Sequence, residues 1–167
     1  MEPMFPLPPK AKPPPAGLSQ ARDLGTQTRE FHAWTMRKLE VLSAYLRMYR
    51  RVAGGGTYLD AFAGSGHATI KGQRTEGSAL RAAESGAFRD LFLIEMDPST
   101  HLQLGQAISK LDDAHRAKIH LQPPGDCNMV IRRLLQEEAI DRDRPCFALL
   151  DPDSTELDWS TVEQLAR

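Results

Sequence analysis

Apolar residues recur every three to four positions from Phe31 onward, through Trp34, Leu39, Leu42, Leu46 and Tyr49, until Gly54-Gly55-Gly56 interrupts them. That spacing puts them on one face of a helix, which the glycines end. Arg47, Arg50 and Arg51 in its last turns suit the negative end of the helix dipole. Beyond the glycines the pattern changes to short apolar runs: Thr57 to Phe62, Leu91 to Glu95, Lys118 to Leu121, and Cys146 to Asp151. Each has the length of a strand. The last is apolar on both faces, as expected of a buried parallel strand, so Cys146 at its start reads as a packing residue. Between the runs the pattern predicts helices at about 78–86 with Ser78 as N-cap, about 99–111 after Asp97-Pro98, and about 128–139 with Asn128 as N-cap. Ser160-Thr161-Val162-Glu163 reads as a capping box that opens one more. Strands alternating with helices imply right-handed crossovers and an α/β fold, a Rossmann-like doubly wound sheet of four parallel strands with about five helices.

Composition divides the chain. Pro3, Pro6, Pro8, Pro9, Pro13, Pro14 and Pro15 hold most of the 12 prolines, so residues 1–25 read as a Pro-rich disordered leader and 26–167 as the folded part. Lys plus Arg number 21 and Asp plus Glu 22, so a net charge of −1 offers no general attraction to nucleic acid. A nucleic-acid substrate would need a local patch, for which Arg47, Arg50, Arg51, Lys71 and Arg74 are the candidates. No run approaches the ~18 apolar residues of a membrane span, and prolines stand where a signal peptide has its apolar core. The expectation is a cytoplasmic protein with no membrane partner. Cys127 and Cys146 form no metal-binding spacing, nor do the 5 histidines, so no metal site is expected.

In a doubly wound sheet ligands bind beyond the carboxyl ends of the strands. Asp60, Glu95, Asp126 and Asp151 all fall at or just past those ends. Asp60 precedes Phe62 and the turn Gly64-Ser65-Gly66, whose glycines let a ligand approach the backbone. A dinucleotide fingerprint needs a third glycine where this chain has Thr69, and an acid so close would repel a pyrophosphate. Asp60 suits a cationic or zwitterionic ligand, or else it caps the turn that follows. Glu95 can accept both hydrogen bonds of a ribose diol. It lies farther along than the ~20 residues of a compact dinucleotide unit, so residues 67–78 read as an insertion. Asp126, beside Cys127, is placed to receive an adenine amino group or to cap a helix. Asp151 either orients a nucleophile's proton or only orders its loop.

Asp60-Ala61-Phe62-Ala63-Gly64-Ser65-Gly66 resembles motif I of class I S-adenosylmethionine-dependent methyltransferases, in which the acid faces the amino-acid end of the cofactor. The order of further pieces resembles one family in particular, the three-Cys-motif partner proteins (TcmP). Those pieces are His32-Ala33-Trp34 with Lys38-Leu39 and Tyr45-Leu46, Glu76-Gly77-Ser78-Ala79-Leu80, Phe92-Leu93-Ile94-Glu95, Gly125-Asp126-Cys127-Asn128, and Phe147-Ala148-Leu149-Leu150-Asp151-Pro152 with Leu157-Asp158-Trp159. The resemblance implies S-adenosylmethionine as cofactor, bound by Asp60, Phe62, Gly64, Ser65, Gly66, Glu95, Asp126 and Cys127. It also implies a three-Cys-motif protein as partner. Asp151-Pro152 stands where amino-methylating enzymes carry a D-P-P-Y-like motif, which makes these two the candidate catalytic residues. Asp153-Ser154 follows in place of the aromatic.

The resemblance further implies a seven-stranded sheet, of which the chain's 167 residues supply four strands, so an N-terminal fragment is expected. The principal reading is a methyltransferase of unknown substrate. The alternative is a noncatalytic cofactor-fold module that binds a partner, or a truncated remnant.

Overall fold

The computed structural model describes residues 24–53, 55–70, 72–152 and 155–167, with side chains from Trp34 onward. Residues 1–23 of the expected leader, Lys71 and the Asp153-Ser154 pair lie outside the described residues.

The chain opens with α1 (Leu24–Ala53) and β1 (Thr57–Asp60), then a hairpin of β2 (His67–Ile70) and β3 (Gln73–Glu76). There follow α2 (Ser78–Glu84), β4 (Asp90–Leu93), α3 (Pro98–Ile108), α4 (Asp113–Arg116) and β5 (Ile119–Leu121). The last elements are α5 (Cys127–Gln136), β6 (Cys146–Leu149) and α6 (Trp159–Leu165). Among the described residues the main sheet has four strands, all parallel, in the order β5-β4-β1-β6. This mixed α/β arrangement is compatible with a Rossmann-like fold.

Alternate residues of the strands feed two cores, as a period of two requires. Tyr58, Leu91, Leu93 and Phe147 face α1, α2 and α3, meeting Leu42, Leu46, Ala79, Ala83 and Leu104. Leu59, Phe92, Ile94 and Ala148 face the other way, toward Val130, Ile131 and Leu134 of α5 and Leu165 of α6. The first core is tied by rings: Tyr58 stacks on Phe147 at 5.9 Å, Tyr49 meets Phe147 edge-on at 5.7 Å, and Phe88 lies 5.1 Å from Tyr58. Among the described residues no helix is long and apolar enough to cross a membrane.

Several expectations change. Residues 67–76 of the predicted insertion form the β2–β3 hairpin, turning with Gly72 at φ +76° and closed at its base by Gly77 N–H donating to Gly66 O at 2.8 Å. Asp126, not Asn128, caps α5 through the Met129 N–H at 3.1 Å. Gly77, not Ser78, is the N-cap of α2. The Ser160 capping box is not used: α6 starts at Trp159 behind Asp158. A sixth helix, α4, is a single turn held by Asp112 and buries nothing, so it leaves no apolar period in the sequence. The fourth strand, β6, is an edge rather than buried, and Cys146 is exposed.

The approach of α1 to β6 leaves no room at Gly56. A Cβ there would collide with the Pro145 carbonyl oxygen and the Tyr49 hydroxyl. That oxygen accepts from Thr57 N–H at 3.0 Å and from Tyr49 at 2.8 Å, bonds that seat β1 and α1 against β6. Gly56→Ala is expected to lower stability by about 2–3 kcal/mol in urea unfolding. Gly125→Ala, whose Cβ meets nothing nearer than 3.5 Å, should cost under about 1 kcal/mol, and equal losses would contradict this packing.

Candidate functional site

The register of the parallel sheet brings the strand ends level. Asp60 of β1 stands opposite Leu93 of β4 and Leu149 of β6, and Leu93 stands opposite Leu121 of β5. The chains that leave these ends diverge, toward α2 and α3 on one face and toward α5 on the other. A cleft of about 420 Å³ opens there, lined by Phe62, Gly64, Glu95, Met96, Thr100, Gly125, Asp126, Cys127, Asp151 and Glu156. This is the place where open α/β sheets bind ligands, and the volume suits a small molecule. Four carboxylates line it, and among the described residues no lysine, arginine or histidine does.

Of the residues singled out from the sequence, the cleft gathers Phe62, Gly64, Glu95, Asp126, Cys127 and Asp151. Glu95 accepts from Gly64 N–H at 3.0 Å on one oxygen and from Asp97 N–H at 2.9 Å on the other. It thus ties the glycine turn to the end of β4 and keeps one acceptor site on each oxygen. Gly64, at φ +62°, has open space where a side chain would stand. Asp126 spends one oxygen on its cap and lines the cleft with the rest of the group. Asp151 is ion-paired with Lys38 of α1.

The cleft does not gather Asp60, Ser65, Gly66 or Pro152. Asp60 is 1% exposed and points toward the start of α2. It accepts from Phe62 N–H at 3.2 Å and from the Tyr58 hydroxyl at 3.0 Å, which orders the turn after β1. Burial pushes its carboxyl up to about 6, against the opposing hydrogen bonds of Ser78, Tyr58 and Phe62. Gly66, at φ +79°, packs beneath α3, where a Cβ would press on Leu104 and Ala107. Ser65 donates to His67 O at 3.0 Å and faces a separate polar hollow with Arg74 and Lys110. Pro152 is half-buried at the end of the segment. Cys127 is buried at the first turn of α5, and burial with the neighbouring Asp126 pushes its thiol up to about 11. A thiol so raised stays protonated at neutral pH and is no nucleophile.

Sequence reasoning missed Met96, Thr100, Gly125 and Glu156. Met96 had a signal: an apolar side chain after an acid at a strand end, here 62% exposed at the cleft. It missed Asn128 in its actual role as well. Asn128 is buried and holds the segment after β6, donating to Glu156 O at 2.7 Å and accepting from Asp158 N–H at 2.9 Å and Thr161 Oγ1 at 2.8 Å. The suspected basic patch is divided. Arg47, Arg50 and Arg51 line a hollow of about 630 Å³ between α1 and α2 that also holds Glu76 and Glu84, whereas Arg74 lies in the polar hollow beside Ser65.

No protein-family model, curated protein or solved structure matches this chain.

Because its folded value is raised from 3.8 to about 6, Asp60 takes up a proton on folding between those pH values. Its stabilising contribution is complete below pH 3.8 and is lost as pH rises through about 6. An Asn would accept from Phe62 N–H without ionising. The stability of Asp60→Asn relative to the native protein is therefore expected to rise by about 2–3 kcal/mol between pH 4 and pH 7 in urea unfolding. A pH-independent difference would refute the raised value.

Proposed function

We propose that the cleft binds S-adenosylmethionine and that the chain is a class I methyltransferase of the three-Cys-motif partner type. The observation that carries this reading is the charge of the lining: four carboxylates and no basic side chain, with Lys38 of α1 reaching one of them, Asp151, from outside. Such a surface attracts a ligand bearing sulfonium and ammonium groups and repels a dinucleotide's phosphates. The order of the sequence motifs supplies the family.

When bound, S-adenosylmethionine supplies a methyl group activated by its sulfonium. The protein's part is to hold and align. Glu95 takes the ribose hydroxyls on its two remaining acceptor sites, and Gly64 lets the ligand lie against the turn. Met96 offers a polarisable face to the adenine ring, with Asp126 near its amino group. Asp60 acts at one remove, fixing the turn from beneath rather than touching the ligand. Asp151 at the rim orients the acceptor and receives its proton, an economical role because in-line transfer needs alignment above all.

A noncatalytic cofactor-binding module is the second reading, favoured by the Lys38–Asp151 ion pair, which occupies the carboxylate that the acceptor would need. Labelled S-adenosylmethionine incubated with extracted nucleic acid and protein separates the two. An enzyme transfers label and loses transfer in Asp151→Asn, and a module transfers none.

Calorimetry tests the binding itself. The native chain should bind S-adenosylmethionine saturably and NADH not at all. Glu95→Gln replaces an acceptor by a donor and should weaken binding roughly 10- to 100-fold with an unchanged circular dichroism spectrum. A folded native protein that binds no S-adenosylmethionine would defeat the proposal.

A further inference from the structure

A second concavity lies beside the acidic cleft and is its opposite in charge. It measures about 340 Å³ and opens between the β2–β3 hairpin and α3. Gly64 lines the cleft and Ser65 the hollow; three residues apart on α3, Thr100 lines the cleft and Gln103 the hollow. The glycine turn and α3 are therefore a dividing wall that the two share. Gly105 of α3 faces Leu121 of β5, which puts the hollow on the β5 side of the sheet, away from β6.

The hollow is lined by hydrogen-bond donors. Thr69 of β2 stands directly opposite Arg74 of β3, so both side chains leave the same face of the hairpin. Gln103, Gln106 and Lys110 follow at three- and four-residue spacing along α3 and the turn that ends it. His67 fixes the guanidinium: Arg74 Nη2 donates to His67 Nδ1 at 3.0 Å, which leaves the ring's proton on Nε2. Burial first, then the nearby charges of Arg74 and Lys110, lower the pKa of His67, so at neutral pH its ring stays an uncharged acceptor for Arg74. Among the described residues neither Arg74 nor Lys110 is paired with a carboxylate, and no carboxylate lines the hollow. Glu76, the one acid of the hairpin, lines the hollow between α1 and α2 instead.

We propose that this hollow binds a phosphate group carried by an organic molecule. Charge selects an anion, because two cations converge on the hollow with no acid to neutralise them. Donor count selects a phosphate among anions. Arg74, Lys110, Thr69, Gln103 and Gln106 all bring N–H or O–H groups, which the several oxygens of a phosphate accept more fully than the two of a carboxylate. The guanidinium, held by His67, presents its remaining N–H groups as a fork, the geometry that pairs with two phosphate oxygens at once. Size selects a carrier: about 340 Å³ is more than a bare ion fills and falls among cavities that hold small organic ligands. A diester of a nucleic-acid strand and a phosphate ester on a small molecule present the same oxygens to these donors.

Amide chemical shifts of the full chain, followed without S-adenosylmethionine so that the result is independent of the cleft, test this with inorganic phosphate and with a short oligothymidylate strand. Both probes should shift Ser65, Arg74, Gln103 and Lys110 saturably. Arg74→Gln and Lys110→Gln, at exposed positions, should each weaken binding roughly 10-fold with an unchanged circular dichroism spectrum. Arg47→Gln, in the hollow between α1 and α2, should leave it unaltered. A strand that binds at least about 10-fold tighter than inorganic phosphate, with a steep salt dependence, identifies the carrier as nucleic acid. Equal affinities identify a small phosphate ester. Saturable shifts with neither probe would overturn the proposal. So would binding indifferent to both variants, or malonate binding as tightly as phosphate.

Discussion

The structure depends on β1 being wholly out of water. All four of its residues are buried, so its backbone groups must be satisfied by a strand on each side. β4 and β6 meet that demand in the same register, ending level with Asp60 at Leu93 and Leu149. The acids that follow, Glu95 and Asp151, therefore emerge at equal distances beyond the sheet, on either side of the glycine turn. The cleft is a consequence of this ladder. A slip of one residue in either neighbour would turn every side chain of that strand to the other face and take its acid out of the cleft.

Asp60 shows how that constraint divides labour among similar residues. It ends the most buried strand, so its carboxylate is spent on Tyr58 and on the turn, with its ionisation opposed by burial. Glu95, two residues beyond β4, keeps one acceptor site on each oxygen, whereas Asp151, beyond the edge strand β6, is held by Lys38. Four carboxylates then face one concavity, held open by Asn128 and the α5 cap. An acidic cleft of this kind is thus poised for one sign of ligand before any specific contact is made.

Much of this was legible in the sequence because it rests on periodicity. The four parallel strands and the helices α1, α2, α3 and α5 announce themselves through runs and i,i+3/i+4 spacing, and strand-end acids are visible once the strands are placed. What escaped has physical reasons. The β2–β3 hairpin is mostly polar and half-exposed, so it carries no alternation of burial. Helix caps were misplaced by one or two residues because Asp126 and Asn128, or Gly77 and Ser78, are equally plausible as local chemistry, and only tertiary partners such as Glu156 O decide. Whether Asp60 faces the ligand or the core depends on β1 having neighbours on both sides, which is a property of the sheet order and not of the motif. Lys38 reaches Asp151 across most of the chain, a pairing that no local pattern announces.

The central claim is that the acids beyond β4, β5 and β6, with the glycine turn beyond β1, form one site for S-adenosylmethionine. Amide chemical-shift mapping during a titration with that ligand locates the contact directly. The account predicts the largest shifts at Gly64, Glu95, Met96, Gly125 and Asp126, with Arg47, Arg50 and Arg51 unmoved. Shifts confined to the arginine-lined hollow between α1 and α2, or none at saturating ligand, would contradict it.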